Sequence, residues 1–362
     1  MSEETKREEL RQAVWRMYEE SLAYKFWQGL GSVLSRFPGL RSLVVPLWFS
    51  SFVVIVLCIL VSALVAWALG VLSPFLWENP YVFLVSFWLW IAINLVDWQI
   101  RKNLTAIKVQ ALEMLELPQG EQGFLAWVKF GFSRRYQFLA VITYYLLIGG
   151  GWTITMNFDF TQPLVWVLLL HFALGLGLWI PHLVELVLLI VFYGYYFRRL
   201  SLCLFQDDPA GTVSLQILHR CSGQLLLVSA LIAALAIPVG VFTNKITTLA
   251  LVISAIGLWI PLLLFYISTE SAFSNHIGLA KNQRLTQLQN QISELEQKTD
   301  PPDVDRIKLV RELMEFHEQI KHTPKSLINM DSLLNLFGSL ALPFLGALLN
   351  ILDIWNKLFG TP

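Results

Sequence analysis

Three ionisable side chains in one strongly apolar stretch are the residues of this sequence best placed to do chemistry. His171, His182 and Glu185 follow one another at separations of 11 and 3 positions, so a helix would place all three on one face. Histidine changes protonation near neutral pH, and glutamate supplies a negative charge that a cation needs. Because ionisable groups are costly at membrane depth, this set predicts a proton or cation path.

Two other interpretations of the same residues stay open. Histidines also bind haem or metal ions, but such a site needs ligands from other helices, and no other predicted span contains a histidine. Pro181, which directly precedes His182, is expected to kink the helix. A buried hydrogen bond between His182 and Glu185 would then have a structural role and stabilise the kinked helix. We therefore keep a conducting and a structural role, and expect no bound metal or cofactor.

A second polar pair lies near the end of an earlier apolar stretch. Asn94 and Asp97 are three positions apart and share a helical face. Asp97 is expected to pair with Arg101, one turn further along, which makes it the weaker candidate for a path.

Enzymatic chemistry has no support in this sequence. It contains no Gly-rich phosphate loop and no HExxH, GxSxG or Walker pattern. Cys58, Cys203 and Cys221 form no CxxC pair, which argues against a disulfide framework and a zinc site. Basic and acidic residues balance at 26 each, so no charge excess favours nucleic acid. We expect a non-enzymatic protein that does not bind nucleic acid.

The elements that position these residues are predicted to be transmembrane helices. Of 362 residues, 56% are hydrophobic and 14% are charged, with mean hydropathy +0.58, too little polar material to cover a water-soluble fold. Very short turns join the apolar windows in pairs, so the fold class is an all-α polytopic membrane protein whose six spans form three hairpins. The windows are 47–76, 80–100, 137–158, 163–197, 224–242 and 247–269.

The distribution of basic residues predicts the orientation of these spans. In this topology 25 of the 26 Lys and Arg residues fall on one side, and Lys245 falls on the other. The transmembrane domain, 46–270, therefore places its loops 101–136 and 198–223 in the cytoplasm. Both termini are expected on that side too, in a plasma or inner membrane.

Amphipathic segments flank the spans on the predicted cytoplasmic side. Residues 1–45 carry apolar positions at helical spacing and are expected either to lie along the lipid headgroups or to pack on the protein. Within the 101–136 loop, the aromatic residues around Phe124 and Trp127 precede Arg134 and predict a second interfacial anchor.

Residues 271–325 change to a composition rich in Gln, Glu, Lys and Leu and predict a cytoplasmic coiled-coil hairpin. Its first arm continues span six, and its second arm follows a break around Pro301 and Pro302. Apolar residues recur at intervals of three and four in both arms, typical of a heptad seam. They are Leu285, Leu288, Ile292 and Leu295 in the first arm, and Ile307, Val310, Met314 and Ile320 in the second.

The last segment, 326–362, is apolar but divided by Pro343. Each half is too short to cross the hydrocarbon core, so a re-entrant or interfacial segment is favoured over a seventh span.

These patterns lead to two hypotheses of function. The leading one is a homo-oligomeric, ion-conducting or transporting assembly that is gated or assembled through the hairpin. The alternative is a non-conducting membrane scaffold or signalling partner that recruits a soluble protein through the same hairpin.

Overall fold

The computed structural model describes residues 3–34, 36, 47–144, 159–242, 248–297, 304–324 and 326–327. Apart from an isolated β-bridge between Leu115 and Leu202, the regular structure of these residues is helical. The helices are α1 (Glu3–Glu19), α2 (Leu22–Leu34), α3 (Leu47–Ala68), α4 (Tyr81–Ala106), α5 (Glu121–Gly131), α6 (Arg134–Tyr144), α7 (Pro163–Val191), α8 (Val213–Phe242), α9 (Thr248–Gln297) and α10 (Val304–His322). Most of the predicted third span and nearly all of 326–362 lie outside the described residues.

Three helices are long and apolar enough to cross a membrane, which is compatible with an integral membrane protein. They are Leu47–Ala68, Val82–Met114 and Val213–Ile232. A fourth span results if Pro163–Trp179 and Val184–Arg199, which are bent by 41° from each other, count as one. The bend falls beside Pro181, as predicted from its missing backbone donor.

Two helices run on past the predicted membrane windows. The second predicted span stops at 100, but α4 continues through a π-helical turn at Ile107–Ala111 and a last turn at Leu112–Met114. Helix α8 begins at Val213, within the predicted loop 198–223. In both extensions one face is buried in the protein, so the helix is stabilised by tertiary packing and not by lipid.

The outer face of α3 has the character of a lipid-facing surface. Trp48 is 51% exposed and Trp67 is 70% exposed, and Phe52, Leu60 and Leu64 between them are exposed as well. The two tryptophans are 19 positions apart, about 29 Å along a helix, close to the thickness of the hydrocarbon core. Tryptophan is enriched at both bilayer surfaces. We refer below to the Trp48 end and the Trp67 end of the spans.

The packing centre is α4, which contacts α3, α7 and α8, while α8 in turn contacts α9. The largest core cluster continues beyond the Trp48 end, where Phe124 and Trp127 of α5 are fully buried against Phe192. The prediction that this aromatic segment forms an interfacial anchor is therefore wrong for these two residues. Their rings fill a protein core.

Helix α1 closes this core. Its apolar residues Leu10, Val14 and Met17 are buried, and the helix packs on α5 and on the end of α4. The Arg7 guanidinium donates to the carbonyl oxygens of Leu112 and Glu113 at 2.6 and 2.7 Å, where the last turn of α4 leaves acceptors unpaired.

Helices α9 and α10 form a projecting pair that we call the arm. Helix α9 is uninterrupted over 50 residues, about 75 Å at 1.5 Å per residue. Lys281 bonds to the Lys321 carbonyl, and Arg306 bonds to the Leu295 carbonyl, so the two helices run antiparallel.

The predicted seam on α9 is covered from within the chain. Leu288 is 1% exposed, and Leu285, Ile292 and Leu295 are half-buried. Leu288 is therefore already covered within a single chain. The second predicted stripe is divided, since Ile320 is buried and Val310 half-buried, whereas Ile307 and Met314 are exposed.

Candidate functional site

The ionisable residues of α7 occupy two separate polar sites. His171 lies toward the Trp67 end, between Ser62 of α3 and Ser86 of α4. Its Nδ1 is 3.2 Å from the Ser62 hydroxyl, and its Nε2 is 3.0 Å from the Ser86 hydroxyl. One imidazole ring thus joins three helices, a common use of polar side chains in helix packing within membranes.

Both serine hydroxyls of this cross-link also face backbone acceptors. Ser62 Oγ is 2.8 Å from the Cys58 carbonyl, and Ser86 Oγ is 2.8 Å from the Val82 carbonyl. A neutral imidazole has one donor and one acceptor nitrogen, so only one serine must turn its proton from the backbone to the ring. The other serine keeps its backbone bond and accepts from the ring. Every polar atom at the His171 site is then satisfied.

His182 and Glu185 lie near the Trp48 end and are contacted by the amino-terminal helices. The Ser21 hydroxyl donates to Glu185 Oε1 at 2.6 Å, and Trp27 Nε1 donates to His182 Nε2 at 3.0 Å. Both acceptor side chains are buried. We call these residues, with Tyr18, Asp97 and Arg101, the interfacial polar cluster.

The bond from Trp27 fixes the orientation of the His182 proton. An indole nitrogen can only donate, so Nε2 of His182 accepts, and the neutral ring carries its proton on Nδ1. That nitrogen is 3.7 Å from Glu185 Oε2, slightly too far for a hydrogen bond. Among the described residues, neither Nδ1 of His182 nor Oε2 of Glu185 has a hydrogen-bond partner.

Asp97 joins the same cluster from α4. Its carboxylate is 2.8 Å from the Arg101 guanidinium, the ion pair that the sequence predicts, and 3.5 Å from the Tyr18 hydroxyl. Burial and the nearby Asp97 carboxylate raise the pKa of the Tyr18 phenol above its usual range, so Tyr18 is a neutral donor. Asn94, one turn away, bonds instead to Ser51. The predicted pair of Asn94 and Asp97 is thus divided between two sets of contacts.

A small cavity lies beside Glu185. Its volume is about 20 Å³, and its lining includes Met17, Tyr18, Ser21, Gln137 and Glu185. That volume is sufficient for one water molecule. A water there would give Glu185 Oε2 the hydrogen bond that the neighbouring side chains do not supply.

Two further polar contacts beyond the spans were not predicted. His219 of α8 is 2.5 Å from Glu270 of α9, both largely buried. His276 donates through Nε2 to the Phe197 carbonyl at 2.7 Å, and burial lowers the pKa of its imidazole. These contacts fix α8 and the end of α7 to α9. Their partners are about 50 to 80 positions apart, too far for any local pattern to pair them.

Lys281 makes a third contact that the sequence alone did not predict. It is 2% exposed, and its Nζ donates to the carbonyls of Lys321 and Thr323 at 2.8 and 2.6 Å. A cation at the carboxyl end of α10 compensates the unpaired carbonyls and the partial negative charge there. The sequence does contain a signal for its burial. Lys281 lies four residues before Leu285, at a position where the apolar stripe of α9 would continue.

We expect Trp27→Phe to loosen α2 from α7. The change removes one donor but keeps an aromatic ring against His182, so about 0.5–1.5 kcal/mol should be lost. Hydrogen exchange of the α2 amides should accelerate by roughly three- to tenfold. Gln28→Ala, at the adjacent, exposed position, is the control. Equal exchange rates in the two variants would mean that this bond does not hold α2.

The described part of the chain offers no metal centre, since no three His, Cys, Asp or Glu side chains within it are grouped to bind an ion. No protein-family model, no curated protein and no solved structure matches this chain.

Proposed function

We propose that this chain is a non-enzymatic membrane scaffold that presents the α9–α10 arm for protein contacts. One observation carries the proposal: the polar side chains of α7 are engaged by the protein itself. His171 binds Ser62 and Ser86, while Trp27 and Ser21 contact His182 and Glu185. Groups used in this way tie helices together, and the part left for a partner is the arm.

The proposed membrane topology has six spans with both termini and the arm in the cytoplasm. The one-sided distribution of 25 of 26 basic residues supports it. In this arrangement α9 crosses the bilayer over 248–269 and continues outward, pairing with α10 as a coiled-coil hairpin. The antiparallel bonds between α9 and α10 support the hairpin.

The ion-conducting hypothesis remains a second candidate because of Glu185. Its Oε2 has no hydrogen-bond partner among the described residues and lies at a cavity of about 20 Å³. A buried carboxylate oxygen beside a water-sized space is a feature that conducting paths use. The cavity alone does not connect the two polar sites of α7.

Ion flux into proteoliposomes distinguishes the two functions. For a scaffold, we expect wild-type vesicles to match protein-free vesicles under gradients of protons, sodium and potassium, and Glu185→Gln to change nothing. Glu185→Leu removes the acceptor of Ser21 and should lower the free energy of unfolding by about 1–2 kcal/mol, again without altering flux. Wild-type flux that falls in Glu185→Gln, at equal folded protein, would favour conduction over the scaffold.

A further inference from the structure

The outward face of α10 carries an apolar stripe. Val304, Ile307 and Met314 are 77%, 58% and 46% exposed, at spacings of three and seven that align them along the helix. The opposite face, which includes Ile320, packs on α9. A stripe of this kind on a projecting helix is typical of a surface that pairs with another helix.

The charges beside the stripe are arranged in two blocks. On the exposed side of α10, the first half carries Lys308 and Arg311, and the second half carries Glu312, Glu315 and Glu318. Asp305 and Lys321 carry the opposite sign at the two ends and would also face each other in an antiparallel pair. A second α10 in antiparallel orientation would place the basic block of each helix against the acidic block of the other. A parallel partner would place like charges together. The surface is therefore complementary to itself in the antiparallel orientation only.

We propose that the α10 stripe pairs with the α10 stripe of a second copy of this chain, inserted in an apposed membrane. The inference rests on the proposed scaffold function, in which α9 crosses the bilayer and continues into the arm. Because α9 is uninterrupted and α10 packs antiparallel on it, the axis of α10 lies along the arm and its chain runs back toward the membrane. Copies inserted alike in one membrane point their arms the same way. Antiparallel arms therefore belong to two facing membranes.

Each pairing contact is weak, and its strength depends on salt. One helical stripe buries far less than the roughly 800 Å² per partner of a stable interface, and exposed ion pairs add little to it. Many arms on two facing surfaces act together, so a weak contact suffices to hold membranes in proximity. Salt screens the charge blocks and should separate the membranes.

The test is clustering of proteoliposomes that display the full-length protein with arms outward, as checked by protease access. Wild-type vesicles should cluster at low salt and disperse at high salt. Two double variants change exposed charges: the first is Lys308→Glu with Arg311→Glu, and the second is Glu312→Lys with Glu315→Lys. In each of them the extent of vesicle clustering should fall by about tenfold or more. Mixing vesicles of the two variants should restore it, because their blocks are complementary.

A variant of the stripe separates pairing from charge. Ile307→Asp with Met314→Asp should abolish clustering of wild-type and mixed vesicles alike, at unchanged thermal stability. Absence of wild-type clustering, or mixed variants that stay dispersed, would overturn the proposal. If a photo-cross-linker at Ile307 then joins a different protein in native membranes, the scaffold function stands without self-pairing. Ion flux by wild-type vesicles would instead reject the scaffold function, whether or not vesicles cluster.

Discussion

Replacing Lys281 with methionine is expected to release α10 from α9. Methionine fills a similar volume but removes an ammonium group that donates to the Lys321 and Thr323 carbonyls from a buried position. Hydrogen bonds from charged groups contribute about 1.5–3 kcal/mol each, and the carbonyls would lose their donor. We therefore expect the docking of α10 to weaken by about 3 kcal/mol, enough to populate a detached arm.

Distance measurements between spin labels on α9 and α10 would detect this detachment. Labels at Gln291 and Glu312 should change from one narrow distance distribution to a broad one in Lys281→Met. Lys321→Met is the matched control, because that side chain is exposed and pairs only locally with Glu318. An unchanged narrow distribution in Lys281→Met would show that apolar packing around Leu288 holds the arm by itself.

Replacing Trp127 with alanine is expected to destabilise the core beyond the Trp48 end by about 3–5 kcal/mol. Its ring is fully buried, lies 4.6 Å from the Phe192 ring centre, and donates from Nε1 to the Leu188 carbonyl at 3.3 Å. The loss comes mainly from the large cavity, since the Leu188 carbonyl also accepts from the Phe192 amide and keeps that bond.

That loss can be measured as the change in the free energy of unfolding in detergent, with heat or a denaturant used to unfold the protein. Trp77→Ala removes an equally large ring that is 80% exposed, so it should change the free energy of unfolding by well under 1 kcal/mol. If the two alanine variants had the same free energy of unfolding, Trp127 would behave as the surface anchor that its sequence context suggests. The conclusion that its ring fills a buried core would then be contradicted.

Hydropathy located the long apolar helices better than it located their ends. The windows beginning at 47, 80 and 163 coincide with α3, α4 and α7, because a long apolar run is a local property of the chain. The extensions of α4 to Met114 and of α8 back to Val213 are amphipathic, and such a pattern is the same whether lipid or protein covers it. Trp127 was misassigned for the same reason, since aromatic rings suit both bilayer surfaces and cores.

The polar sites were only half predictable. His171, His182 and Glu185 stand out because charge is rare in an apolar run, but their partners Ser21 and Trp27 are ordinary residues more than 150 positions away. No spacing rule links them, because tertiary packing alone brings α2 to α7. The prediction of a single path also assumed that one face of α7 has the same surroundings along its length. In the structure α3 and α4 enclose this face at His171, whereas α2 covers it at His182.

The unbroken α9 makes the arm a mechanical lever. In the proposed topology about 28 residues, or roughly 42 Å of helix, extend past position 269 without a joint. A bilayer that thins or thickens changes the tilt of a spanning helix. A change of about 10° would therefore move the far end of α9 sideways by about 7 Å. Membrane thickness is thereby converted into the position of the α10 surface.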